Sequence, residues 1–400
     1  MCIIYGGQCL DIFEIPYYKS LKKWLTLSGL YPLRNTIIIL VVISIISVTL
    51  PLIFAIYTSL CAKNIDAMLE CLPPLGVCVV AMFKLQNIYN NSENFKKLFT
   101  FVAKQWHQLK LNNEIRVLEE IVMQGNKMAQ IYRSTISFLK SKYTLLVAMV
   151  IFFSVPLIFP ILDIVYPLNE TRPRQQLYKV NYLIFNHEDY YFYVYFQLVW
   201  SSFVCVIIII IFDWLYILII HHNSGMFTVC GYQIQKIFTE EAFSNIRIYE
   251  QFKNCLIVHN EAIQFFDILD ESSRNTYFFL VGSNIIGTSM SAVQIVLNLD
   301  KLEVAIKSTV FLIAAQFHLF ILSIPGQILL NHYSNLTNNI FMSAWYNMPI
   351  EVQKMFYVMQ IRCNKPCSLT ACGLYEMNME NFGTALKTCM SYITMILSLK

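Results

Sequence analysis

Between Arg34 and Lys63 the chain runs TIIILVVISIISVTLPLIFAIYTSL without a single charge. At about 1.5 Å per residue a helix of this length exceeds the roughly 30 Å of a bilayer's hydrocarbon layer. A stretch so uniformly apolar has no polar face for water, so the rest of the chain has to be read as a membrane protein's. Composition agrees: 56% of the 400 residues are hydrophobic and only 14% charged, which leaves too few polar groups for a soluble globule of this size.

Further spans are expected over Ile65 to Tyr89, about Tyr143 to Leu162, Tyr190 to Ile220, Thr276 to Leu299 and Ala305 to Leu330. The second carries Asp66, Glu70 and the Pro73-Pro74 pair, features tolerated beside a cavity where freed backbone groups find partners. The third has Pro156 and Pro160 in its second half. With a closing helix over Met379 to Lys400 this makes an all-α membrane protein of seven transmembrane helices. Lys19, Lys22, Lys23 and Arg34 precede the first span and only Lys63 follows closely, which predicts a cytoplasmic N-terminus and an outer C-terminus. Met1 to Leu10 lack a basic region ahead of an apolar core, so no cleaved signal peptide is expected. In this topology the sequon at Asn169 lies outside and is open to glycosylation, whereas those at Asn90 and Asn335 face the cytoplasm and stay bare.

The cytoplasmic stretches keep a helical period. Ile234, Phe238, Ile246, Phe252, Leu256, Ile263, Phe266 and Leu269 recur between polar residues with little Gly or Pro, which predicts helices that continue the spans below the membrane. NHYSNLTNN after Leu330 is too polar to span and is expected in the same cytoplasmic bundle. The organisation read from this is a cytoplasmic N-terminus over 1–35, a ligand-binding bundle of six spans with cytoplasmic helical loops over 36–330, an anchor region over 331–378 and a final helix over 379–400.

Several kinds of chemistry are not expected. The acidic residues read as lying in loops or at span ends, and there is no Gly-rich phosphate loop, HExxH or Gly-x-Ser-x-Gly, so the chain is not read as an enzyme. The twelve cysteines include no CxxC pair, and Cys363, Cys367 and Cys372 lack zinc-ligand spacing, so neither metal nor cofactor is expected. A net charge of +4 spread along the chain excludes a nucleic-acid surface. His221 and His222 read as an interfacial pair where a span meets water. What the spans do offer is aromatic and aliphatic surface, suited to a small hydrophobic volatile: Leu75, Val79, Phe152, Pro156, Tyr195, Phe196, Val199 and Phe311 are the candidate lining. An aromatic belt at the outer interface accounts for the tyrosines of the fourth span equally well.

The closing helix differs from the others. Asn381, Thr384, Thr388, Ser391 and Ser398 share one side, while Phe382, Leu386, Ile393, Ile396 and Leu397 occupy others. A membrane helix with a continuous polar stripe turns that stripe toward protein or water, as a pore-lining helix does. Lys387 within it admits two readings, a pore cation or a side chain that snorkels to the cytoplasm or pairs with Glu380, and the second is expected because a ring of cations would oppose cation flux.

The last third resembles the insect odorant receptors. The likeness runs through Ser343-Ala344-Trp345-Tyr346, Pro349, Arg362, Lys365-Pro366, Thr370-Ala371, Gly373, Asn378, Phe382, Leu386-Lys387-Thr388, Ser391-Tyr392 and Thr394. Upstream, Cys255-Leu256-Ile257 with His259, Ile263, Phe266 and Leu269 looks like that family's helix before the fifth span. The resemblance implies an odorant-gated cation channel in the plasma membrane of an olfactory dendrite. A tuning subunit there joins a shared co-receptor in a heterotetramer, cytoplasmic helices form the anchor and each last helix lines one pore. Thr388, Ser391, Met395 and Ser398 are then pore-lining, with Met395 at the place of the hydrophobic gate. The chain lacks the co-receptor's long cytoplasmic insertion, which favours the tuning role. Gustatory receptors share the architecture, but their last helix ends in a Gln-Phe that is absent here. A G-protein-coupled receptor would have the opposite topology, and a transporter would show paired interrupted helices.

Overall fold

The computed structural model describes residues 3–5, 8–10, 12–30, 35–111, 114–135, 176–182, 190–239, 245–298, 300 and 302–399. A short antiparallel hairpin, β1 (Ile3–Tyr5) and β2 (Gln8–Leu10), precedes the amphipathic helix α1 (Pro16–Leu27). Pro16 starts α1 where no backbone donor is needed, and Tyr18, Leu21 and Leu25 are buried on one side. Gly29 ends it with φ +75°, which lets Leu30 N–H reach the Leu25 carbonyl at 2.9 Å.

Helices α2 (Asn35–Cys61) and α3 (Ile65–Asn90) are the first two expected spans, and Asn64 caps α3 by accepting from Ala67 N–H at 3.1 Å. Along α2, Ile38, Ile45, Val48, Leu52 and Ala55 are buried, while Ile39, Leu40, Ile43, Ile46, Leu50 and Ile53 are exposed. One apolar face therefore packs inward and the other is left for lipid. Two amphipathic helices follow, α4 (Ser92–Leu111) and α5 (Ile115–Thr135).

Three long helices carry the rest of the bundle: α6 (Tyr191–Thr239), α7 (Asn245–Leu297) and α8 (Leu302–Met342). Each contains an expected span and runs well beyond it, as the helical period of the loops implied. Five of the described helices, α2, α3, α6, α7 and α8, are long and apolar enough to cross a membrane. From Ile210 to Met226 every residue of α6 is buried, because α1, α3, α5, α7 and α8 all pack around it. His221 and His222 belong to this buried run, at 1% and 0% exposure, and are not the water-facing pair the sequence suggested. His221 Nδ1 donates to the Ile217 carbonyl at 2.7 Å and His222 bonds Gln105 of α4 at 2.9 Å, so packing by α4 and α5 closes off what looked like an interface.

The chain ends with α9 (Ile350–Cys363), a small hairpin of β3 (Thr370–Ala371) and β4 (Tyr375–Glu376), and α10 (Met379–Leu399). The expected third span, with Phe152 and Pro156, and the sequon at Asn169 lie outside the described residues.

Candidate functional site

The base of α10 is held from several directions. Cys372 and Gly373 turn the hairpin with φ of 53° and 75°, and its first strand hooks onto α7, where the Asp270 carboxylate accepts from Thr370 N–H at 3.1 Å and pairs with Arg274 at 2.7 Å. Asn378 then caps α10 by accepting from Asn381 N–H at 2.8 Å. On α8, Gln327 accepts from Met379 N–H at 3.1 Å, and Gly326 lies against the Met377 carbonyl so closely that a Cβ has no room. Phe320 of α8 packs on Phe382 at 5.3 Å between ring centres.

Beyond this base α10 packs against α7 and α8 with one side. Phe382, Ala385, Cys389, Ile393 and Ile396 are half-buried there, at helical spacing. Thr384, Thr388, Ser391, Met395 and Ser398 are all exposed on the opposite side, with Met395 at 50%. The stripe is thus real, apart from Asn381, which is half-buried and donates to the Glu376 carbonyl at 3.1 Å. Thr388 donates to the Thr384 carbonyl at 2.9 Å and Ser398 to the Met395 carbonyl at 2.7 Å, so each hydroxyl has satisfied its proton within the helix and presents lone pairs outward. Such a face is an acceptor surface, suited to water and cations. Lys387 is exposed, and at 100° per residue it falls at the edge of this same face, about 20° beyond Ser398. Among the described ion pairs none joins it to Glu380.

The candidate ligand residues are distributed over two seams. Leu75 packs into a second apolar cluster that joins α2, α3, α6 and segment 176–182, where Val194 and Leu198 are buried. Polar side chains tie the same region together: Tyr182 donates to Gln197 at 2.6 Å, and Gln197 donates to Ser47 at 2.8 Å. Tyr195 is buried beside Tyr191 and Phe196, whereas Phe196 itself is 65% exposed. Val79 and Val199 are half-buried. Phe311 sits on the other seam, its ring 3.5 Å from where a Cβ on Gly287 of α7 would stand. A narrow cleft between α3 and α7, with no room for a water molecule, is lined by Val80, Phe83, Lys84, Thr276, Phe279 and Leu280, with Phe83 and Phe279 stacked at 3.9 Å.

Beside that cleft is a group the sequence reading missed. Asp213 is fully buried in the middle of α6, not in a loop or at a span end, and it forms an ion pair with Lys84 of α3, also fully buried. Its second carboxylate oxygen bonds His318 Nε2 of α8 at 3.0 Å. Lys84 also lies 5.3 Å from the centre of the Phe212 ring. Nearby, Tyr216 donates to Asn87 at 3.2 Å and Asn87 to the Ser272 carbonyl at 2.6 Å, so α3, α6 and α7 share a polar junction. A lone Asp within an otherwise apolar run, IIIIIFDWLYILII, was the available signal.

Fold and site together define a polytopic all-α membrane protein whose last helix offers a hydroxylated face beyond its own bundle. A family model described as 7tm Odorant receptor matches residues 64–390, and the chain belongs to that family, one of receptors and not of enzymes. Solved structures that share the fold include two of an insect olfactory receptor. The insect olfactory receptor OR5 from Machilis hrabei aligns with a TM-score of 0.72 and 11% identity, over 97% of this chain and 99% of that one. The same receptor in complex with eugenol aligns with a TM-score of 0.69 and 10% identity, over 96% and 98%. No curated protein sequence matches the chain.

Proposed function

We propose that this odorant receptor is the odorant-tuning subunit of a heteromeric, odorant-gated, non-selective cation channel. The observation that carries the reading is α10: one side is packed on α7 and α8, and the other presents Thr384, Thr388, Ser391, Met395 and Ser398 to whatever lies outside the single chain. A ring of such helices, one from each of four subunits including the co-receptor, encloses a hydroxyl-lined vestibule with Met395 as an apolar collar. The 331–378 region with the lower halves of α6 and α7 then serves as the cytoplasmic anchor. The N-terminus lies inside and the C-terminus outside, in the plasma membrane of the olfactory dendrite.

The ligand is a small hydrophobic volatile, held in the bundle of 36–330 by Leu75, Val79, Phe152, Pro156, Tyr195, Phe196, Val199 and Phe311. The buried Tyr195 and half-buried Leu75, Val79, Val199 and Phe311 support this placement. Binding shifts the channel toward the open state only by its differential affinity for that state. The test is to record currents from cells expressing the chain with and without an odorant co-receptor during an odour panel. Odour-evoked cation current only with both subunits is expected; silence when both reach the surface refutes the reading. Phe152→Ala and Tyr195→Ala should each reorder the response profile, and an unchanged profile in both refutes the pocket. Sugar on Asn169 is expected; sugar on Asn335 would invert the topology.

A further inference from the structure

Ionisable groups inside a membrane bundle are costly, and this one holds three in contact. Lys84, Asp213 and His318 come from α3, α6 and α8, and Lys84 Nζ is also 3.4 Å from His318 Nε2. Both oxygens of the Asp213 carboxylate are engaged, one by each partner, so the three helices meet at one point. Lys84 and Asp213 have no exposed side-chain surface, while His318 is 22% exposed and marks the edge of the junction.

The third helix of that junction is also the one that carries the base of α10. His318 is followed on α8 by Phe320, packed against Phe382 of α10, then by Gly326 against Met377 and Gln327 on Met379 N–H. Gly326 leaves no slack at this seam, so a displacement of the lower part of α10 takes α8 with it. Movement of α8 relative to α3 and α6 in turn separates His318 from an anchored carboxylate.

We infer that Lys84, Asp213 and His318 form a clamp that fixes α8 against α3 and α6 and thereby opposes outward movement of the terminal helix. They are positioning residues that set the resting balance of the gate. This rests on the channel reading above.

The test uses the full chain with its co-receptor, and counts currents per surface channel by biotinylation. His318→Leu removes the α8 arm while Lys84 and Asp213 keep each other; His318→Gln keeps a donor toward Asp213. The double variant Lys84→Met/Asp213→Asn removes both charges together, which avoids leaving one buried and unpaired. For His318→Leu and the double variant, ligand-free current should rise about fivefold or more, the lower end of ordinary coupling between sites. The half-maximal concentration for the most active member of a panel of volatile phenols, alcohols and esters, eugenol included, should fall in parallel. His318→Gln should restore wild-type values. A residue that serves only the fold would lower surface abundance and leave both gating quantities unchanged, which overturns the clamp, as does a lower ligand-free current with a higher half-maximal concentration. Wild-type currents with unaltered variants refute the clamp alone, whereas a silent wild type refutes the channel reading and the clamp with it.

Discussion

Gly326→Ala tests whether the seam between α8 and the base of α10 is as tight as the structure shows. A Cβ at this position would stand well inside van der Waals contact with the Met377 carbonyl oxygen, 3.0 Å from its carbon and 3.3 Å from the Met377 Cβ. The obstacle is backbone, and it is tethered: Met377 N–H donates to the Leu369 carbonyl at 2.9 Å, and Met379 N–H to Gln327 at 3.1 Å. Relief therefore requires α8 and the β4–α10 connection to separate. Overpacking of this kind costs about 1–3 kcal/mol, and a rigid backbone partner puts Gly326 at the upper end. The intrinsic helix preference for Ala over Gly returns about 1 kcal/mol, which leaves a net loss of about 2 kcal/mol. Gly282 in α7 is the control, because nothing lies within 4 Å of a Cβ there and only the propensity gain of up to about 1 kcal/mol applies. In detergent, melting followed by fluorescence-detected size exclusion should place Gly326→Ala roughly 2–4 °C below wild type and Gly282→Ala at or above it. If Gly326→Ala melts with Gly282→Ala, the seam has slack and α8 does not carry α10.

Three further perturbations address α10 and the first half of α7. Asn378→Ala removes the cap of α10 and should cost about 1 kcal/mol, read as a lower melting temperature, while Asn378→Ser, which keeps an accepting oxygen without placing a second carboxylate beside Glu376, should recover most of it. Lys387→Met should raise cation current at low ionic strength by a factor of about two, and the gain should vanish at high salt because charge on an exposed face is screened there; a salt-independent current would show that Lys387 points away from the conduction path. Burial lowers the pKa of His259, in the first half of α7, to about 4 from its ordinary 6.5, helped by the nearby Arg362 charge. The unfolded chain takes that proton first, so stability is full above pH 6.5, declines by up to about 3 kcal/mol as pH falls to 4 and levels off below. His259→Gln should flatten the decline between those limits in pH-dependent melting.

The parts of the fold that were legible from sequence are those fixed by local pattern. The charge-free run after Arg34 gave α2, the apolar run from Ile65 to Tyr89 gave α3, and the stripe from Thr384 to Ser398 gave the open side of α10. Helix ends beyond the spans followed from periodicity, since Phe252, Ile263, Phe266 and Leu269 all turn inward along α7. The buried triad was illegible for a different reason. Lys84 and Asp213 are 129 residues apart and His318 is 105 beyond Asp213, so what reads in each span as an isolated blemish is a contact only in three dimensions. His221 and His222 failed likewise: their burial depends on α4 and α5, whose own sequences say nothing about which helix they will cover.

Exposure in a single membrane chain carries two meanings, and the comparison of α2 with α10 separates them. The exposed side of α2 is Ile39, Leu40, Ile43, Ile46, Leu50 and Ile53, an unbroken apolar surface that lipid satisfies at no cost. Around α10, at 100° per residue, three sectors follow one another. Phe382, Ala385, Cys389, Ile393 and Ile396 pack on their own bundle, Leu386, Met390 and Leu397 form an exposed apolar flank, and Thr384, Thr388, Ser391 and Ser398 form an exposed polar one. Lipid can cover the second sector but not the third, where hydroxyl lone pairs and Lys387 would face hydrocarbon at several kcal/mol for each unsatisfied group. Within a bilayer the polar sector needs water or a partner on it. Among the described residues α7 and α8 pack behind α10, and the proposed ring of helices sharing one aqueous axis supplies both at once.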